Sequence, residues 1–246
     1  MNTLTTSFVR RLRERDEAAW FELWEVFGPV LRAQLAKWGR GRIGAETVRD
    51  LTQETLAALS DSIDRYDPAR GARFSTWLLS IAKHALGDEM DRRMALKRGG
   101  GKRPNEFDER FVASQAKVEA DDVYQKRVFH AKVYAAIRKT EAEAVFMQFS
   151  VYRMRVFDGT AGKDVAEQLG ISEPTVSRYL QKVRDLLRQR VAESVALYSF
   201  TVEEQAEAER AGLSGDDAMF DEALAEIYHQ QSRLILEDDP GASQRF

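Results

Sequence analysis

Ser172, Thr175, Ser177, Arg178, Gln181 and Lys182 recur at the spacing of one exposed helix face. Their hydroxyls, amide and cations are the donors and acceptors that pair with base edges and phosphate oxygens in a DNA major groove. A solvated helix in an ordinary αα-hairpin has the same polarity, so the flanking residues must distinguish the two. The nearest constellation with catalytic potential is Asp61, Asp64 and Asp67, a carboxylate series able to attract a metal. It has no accompanying histidine, glycine-rich phosphate loop or nucleophile pair, so the expectation is a binding protein and not an enzyme. No cofactor and no metal are expected either, because the chain has no cysteine and its three histidines, His84, His130 and His229, lie far apart.

The elements that would position the polar stripe are legible on either side of it. Val165, Ala166 and Leu169 share the inward face of a first helix, and the small Ala166 lets a second helix approach. Gly170 suits the left-handed conformation that ends that helix, and Ile171 plugs the turn. Ser172 stands where an N-cap is needed, Pro174 falls in the first turn where amides are unpaired, and Val176, Leu180 and Val183 form a buried stripe. Cap, glycine, small residue and apolar spacing all specify a helix-turn-helix over residues 161–190, which by itself leaves open a stand-alone transcriptional regulator that binds duplex DNA without polymerase.

Helix-period apolar spacing continues along the rest of the chain, and strict alternation is missing, so the fold class is all-α. Phe8 to Leu35 reads as two or three packed helices interrupted around Arg15 and Asp16. Thr47 to Ser60 reads as another helix, followed by a turn through Asp64, Asp67, Pro68 and Gly71 and a helix from about Phe74 to Met94. Lys97, Arg98, Gly99, Gly100, Gly101, Lys102, Arg103 and Pro104 then mark a basic linker. The expected organisation is a helical domain over 6–94, a linker over 95–120, a helix-turn-helix domain over 121–192 and an acidic helical extension over 193–246.

Charge supports that division. The net charge of −3 combines a C-terminal segment, residues 191–246, with thirteen acidic residues against three arginines, and a body that carries +7. Nucleic-acid binding needs local positive charge, so the acidic total does not argue against it. The longest apolar stretches are a few residues, and Met1 to Arg15 is polar and then basic, so no membrane insertion and a cytoplasmic location are expected.

Asp50-Leu51-Thr52-Gln53-Glu54-Thr55-Leu56, Tyr66-Asp67-Pro68-Ala69-Arg70-Gly71, Phe74-Ser75-Thr76-Trp77 through Lys83-His84, and Asp88-Glu89-Met90-Asp91-Arg92-Arg93 together resemble region two of the extracytoplasmic-function sigma factors. With the helix-turn-helix downstream as region four, the resemblance covers most of residues 6–192. It implies core RNA polymerase and promoter DNA as partners. Asp50, Gln53 and Glu54 would dock on the β′ coiled coil, and the second domain would meet the β flap. Trp77, Lys83, His84, Arg92 and Arg93 would contact the melted minus-ten element, with Trp77 offering a stacking surface. Ser172, Thr175, Ser177, Arg178, Gln181 and Lys182 would read the minus-thirty-five duplex.

Two positions depart from that pattern. Lys83-His84 stands where relatives carry Arg-Asn, which bears on base choice at the minus-ten element. Thr47-Val48-Arg49-Asp50 stands where relatives carry acid-small-acid-acid, so two negative charges are missing from the docking helix. A phosphate on Thr47 would restore about two charges at a helix N-terminus, which points to a Ser/Thr kinase as regulator beside an anti-sigma factor. In the extension, Met219, Phe220, Ala223, Leu224, Ile227, Tyr228, Leu234 and Ile235 form one apolar stripe of a helix over 216–236. Such a helix docks, either to mask the basic DNA-binding faces, to bind a regulator or to stabilise the second domain.

Overall fold

The computed structural model describes residues 3–67, 73–97 and 122–238. The expected linker residues Arg98, Lys102 and Arg103, the side chain of Lys97, and Pro68 to Gly71 of the expected turn lie outside the described residues. All regular structure among the described residues is helical, so the all-α expectation holds. The chain forms two compact units, one of described residues within Thr6–Val128 and the other of described residues within Phe129–Phe246 together with residues 3–5.

The first unit contains most of α1 (Thr3–Arg13), then α2 (Glu17–Gly39), α3 (Ala45–Ser62), a short 3-10 turn (Ile63–Arg65) and α4 (Phe74–Lys97). The expected interruption near Arg15 is real: Arg15 has φ of 62°, and Asp16 caps α2 by accepting from the Ala19 amide at 3.0 Å. Arg11 closes the corner by donating to Asp16 at 2.8 Å and to Glu22 at 3.2 Å. Helices α2, α3 and α4 pack pairwise over Leu23, Phe27, Leu31, Leu51, Leu59, Phe74 and Leu78, all buried. The aromatics meet edge to face, with Phe27 and Phe74 ring centroids 5.4 Å apart.

The second unit contains most of α5 (Asp122–Glu143), then α6 (Phe146–Tyr152) with a wider π turn (Arg153–Phe157), α7 (Gly162–Leu169) and α8 (Glu173–Tyr198). It continues through two short helices, α9 (Val202–Gln205) and α10 (Glu207–Arg210), to α11 (Asp217–Asp238). Phe220, Leu224 and Ile227 of α11 are buried in one apolar core with Phe149, Tyr152, Phe157, Val183 and Leu187. Tyr228 stacks on Phe157 with ring centroids 4.1 Å apart. The apolar face of α11, in the expected acidic extension, is therefore part of this unit's core. At its root, Lys132 Nζ donates to Glu204 Oε1 at 3.1 Å with both side chains 1% exposed. The other Glu204 oxygen accepts from the Phe200 and Thr201 amides.

Candidate nucleic-acid interface

In the second unit the turn between α7 and α8 is built as its residues require. Gly170 adopts φ of 65°, and Ile171 N–H returns to the Ala166 carbonyl at 3.0 Å, satisfying the end of α7. Ser172 caps α8: its hydroxyl accepts from the Thr175 amide at 3.4 Å and shares a hydrogen bond with the Thr175 hydroxyl at 2.9 Å. Val165, Ala166 and Val176 are buried together with Val151, and Leu169 and Ile171 are half-buried at their edge. This small core points the opposite face of α8 outward. Ser172, Ser177, Arg178, Gln181 and Lys182 are exposed and Thr175 is half-buried, so all six lie on or beside one accessible face.

The next two turns of α8 carry residues that the sequence reading passed over. Arg184 is 7% exposed, and its guanidinium forks onto Asp221 of α11, Nε to Oδ1 at 3.0 Å and Nη2 to Oδ2 at 2.7 Å. Its Nη1 donates to Asp217 at 3.0 Å and to Gln181 Oε1 at 2.6 Å. The Asp221 hydrogen bonds raise the Arg184 pKa above its ordinary value against the opposing effect of burial. Asp221 also accepts from the Tyr152 hydroxyl at 2.8 Å. Burial first, and the Asp221 charge second, push that phenol well above the ordinary tyrosine range, so it stays a donor. One turn on, Arg188 donates to Asp217 at 3.2 Å and covers the Phe220 ring at 4.3 Å. Helix α11 therefore docks beside the exposed polar stripe of α8 and leaves it accessible. The signal that could have found this contact was charge: two arginines on a helix flank, and two aspartates four residues apart at the start of an amphipathic helix.

In the first unit Asp50, Gln53 and Glu54 are exposed on α3, while Val48, Leu51, Thr52, Thr55 and Leu59 are buried on its other side. Lys83 and His84 are exposed on α4. Trp77 is in the core instead of at the surface: it is 3% exposed and stacks on Tyr66 with centroids 4.9 Å apart. Its place in the apolar repeat of α4, beside Phe74 and Leu78, turns it inward. Arg92 and Arg93 are engaged within the unit. Glu89, with its side chain 12% exposed, accepts from Arg92 Nη1 at 2.5 Å and from Arg93 Nε at 2.6 Å. Arg92 also lies 3.9 Å from Glu54, and Arg93 Nη2 donates to the Thr47 hydroxyl at 2.8 Å. Thr47, Glu54, Arg92 and Arg93 thus belong to one polar cluster bridging α3 and α4. No spacing argument had joined them.

Among the described residues no group of three or more His, Asp or Glu side chains could hold a metal ion. Asp61, Asp64 and Asp67 are each exposed. Among the described residues no helix is long and apolar enough to cross a membrane.

Residues 23–95 match the family model for Sigma-70 region 2, and residues 148–187 match the family model for Sigma-70, region 4. The chain is similar to the ECF RNA polymerase sigma factor RpoE of Cereibacter sphaeroides, with 26% identity over 189 residues that span 76% of this chain and 94% of that protein. No solved structure matches the chain.

Proposed function

Because the chain belongs to the extracytoplasmic-function sigma factors of the sigma-70 family, we propose that its two units divide promoter recognition between the exposed faces described above. It is an RNA polymerase sigma factor that directs promoter recognition and transcription initiation, with core polymerase and promoter DNA as its partners. Asp50, Gln53 and Glu54 dock on the β′ coiled coil, since three polar groups on one side of α3 can meet arginines of a partner helix. Lys83, His84, Arg92 and Arg93 contact the melted minus-ten strand, and buried Trp77 supports that face from behind. Ser172, Thr175, Ser177, Arg178, Gln181 and Lys182 read the minus-thirty-five duplex while the second unit meets the β flap. The observation that carries this reading is the exposed polar stripe of α8, backed by a capped and buried turn.

In vitro transcription with core polymerase tests it. The full chain is expected to start transcripts from a subset of genomic fragments, whose 5′ ends then give the recognised elements. A chain that neither binds core enzyme nor starts any transcript would overturn the assignment.

Regulation by a Ser/Thr kinase at Thr47 belongs to the same proposal. Thr47 lies in the first turn of α3, where the helix dipole favours a phosphate, and its hydroxyl already accepts from Arg93. Thr47→Glu is expected to bind core polymerase more tightly than Thr47→Ala. Equal affinities of both variants and wild type would remove the kinase and leave an anti-sigma factor as the regulator to seek.

A further inference from the structure

Gln181 is the one reading residue whose amide is pinned at both ends, and the pins fix which end is which. Its contact to Arg184 Nη1 at 2.6 Å must use the amide oxygen, because a guanidinium only donates. Its contact to Asp185 Oδ1 at 2.9 Å must use the amide nitrogen, because a carboxylate only accepts. Both neighbours demand the same orientation. A glutamine free to turn pairs with adenine through both ends, accepting from N6 and donating to N7. Gln181 has its oxygen in a charge-assisted bond with Arg184 and one N–H on Asp185. The remaining N–H is the donor available to a partner.

Arg184 can hold that oxygen only because it is itself held. Its side chain is 9% exposed, with Nε and Nη2 forked on Asp221, and the Asp221 carboxylate is anchored in turn by the Tyr152 hydroxyl. A bidentate fork fixes the guanidinium plane, whereas a lysine at this position would supply charge without the plane. The chain of contacts runs from Tyr152 through Asp221 and Arg184 to Gln181, so a residue of the acidic extension is linked to the exposed face of α8 through one intervening side chain.

We propose that Asp221 is a positioning residue for promoter reading: through Arg184 it locks the Gln181 amide so that Gln181 presents a hydrogen-bond donor to the groove. Gln181 then favours guanine O6 or thymine O4 over adenine, which puts the N6 donor in the place of that acceptor and shares only N7 with guanine. The inference rests on the assignment of Gln181 to the duplex-reading face.

The test is selection of bound sequences from a randomised duplex pool by the full chain with core polymerase, comparing wild type with Gln181→Ala, Asp221→Ala, Asp221→Asn and Arg184→Lys. Gln181→Ala identifies the base position that Gln181 reads. At that position Asp221→Ala and Arg184→Lys are expected to lose about fivefold in preference for the acceptor-bearing base, the low end of what one side-chain contact discriminates. Asp221→Asn, which retains one acceptor for the arginine, is expected to lose less. Arg184→Lys and Asp221→Asn decide the matter where Asp221→Ala fails to fold, which thermal melting reads separately. If Gln181→Ala shifts a base position and the Asp221 and Arg184 variants leave that position unchanged, the positioning role is overturned while the reading role stands. If Gln181→Ala shifts no position, the reading assignment fails and the inference with it.

Discussion

The two units shelter charge to different degrees. In the second unit two ion pairs are interior, beside others at the surface: Lys132 and Glu204 are each 1% exposed, and Arg184, its side chain 9% exposed, forks onto Asp221 at 17%. In the first unit the arginines of the polar cluster stay half in water, Arg92 at 46% and Arg93 at 39% side-chain exposure, around the single sheltered carboxylate of Glu89. Buried charge that is paired and hydrogen-bonded fixes one geometry, because releasing either partner strands the other without solvent. Half-exposed charge can exchange partners at small cost. The contrast teaches that one surface is preset and the other remains adaptable. Under the proposed division of roles, the preset surface would be the one that reads duplex edges and the adaptable one the one that meets strands and polymerase.

The strongest attempt to break that contrast is Lys132→Met. Removing the ammonium leaves Glu204 buried beside two backbone amides without its cation, and a stranded buried charge destabilises by about 3–5 kcal/mol. Urea unfolding followed by hydrogen exchange is expected to show that loss in peptides of the second unit, with little change in α2 and α3. A loss below about 1 kcal/mol would mean that the interior pair fixes nothing, and the distinction between the units would collapse.

Glu89→Ala sharpens the comparison from the other side. It deletes hydrogen bonds to two arginines, but both arginines can turn to water, so the expected destabilisation is about 1 kcal/mol. The same change releases Arg92 and Arg93 from Glu89, and under the proposed minus-ten role it removes a competitor of phosphate for them. Binding of a single-stranded oligonucleotide by the full chain is therefore expected to tighten, with a steeper dependence on salt. A stability loss equal to that of Lys132→Met, with oligonucleotide binding unchanged, would place both units in the preset class.

How much of this was legible in sequence follows from how local each feature is. Gly170, Ser172, Ala166 and Val176 lie within one hairpin, so turn chemistry and apolar spacing located the helix-turn-helix and its outward face together. The break between α1 and α2 was legible for the same reason, through Arg15 and Asp16. Arg184 with Asp221 and Lys132 with Glu204 join positions 37 and 72 residues apart, and one sequence contains no term for such pairs. The extension showed its amphipathic stripe but not its partner, because an apolar face states that it must be covered and not by what. Trp77 was ambiguous in principle: an aromatic at helical spacing has the same sequence signature whether it packs or stacks on a base. The pairing of Glu89 with Arg92 and Arg93 is a local i,i+3 and i,i+4 pattern and was within reach of sequence spacing.

The smallest expected effect concerns a solvent-facing carboxylate of the first unit. Asp16 is held below the ordinary aspartate range, first by the Arg11 hydrogen bond and then by the Ala19 amide of the helix it caps. A carboxyl whose folded pKa is depressed contributes stability that is present above the unfolded value, about 3.9, and is lost as pH falls through the folded value. Melting temperature is therefore expected to fall with acid in that window partly because the α2 cap is protonated. Asp16→Asn keeps a capping oxygen but cannot titrate, so its melting temperature should depend less steeply on pH below about 4. Parallel curves for the variant and wild type would show that the corner of α1 and α2 owes nothing to this charge, and that water-exposed pairs of the first unit are even weaker than the comparison requires.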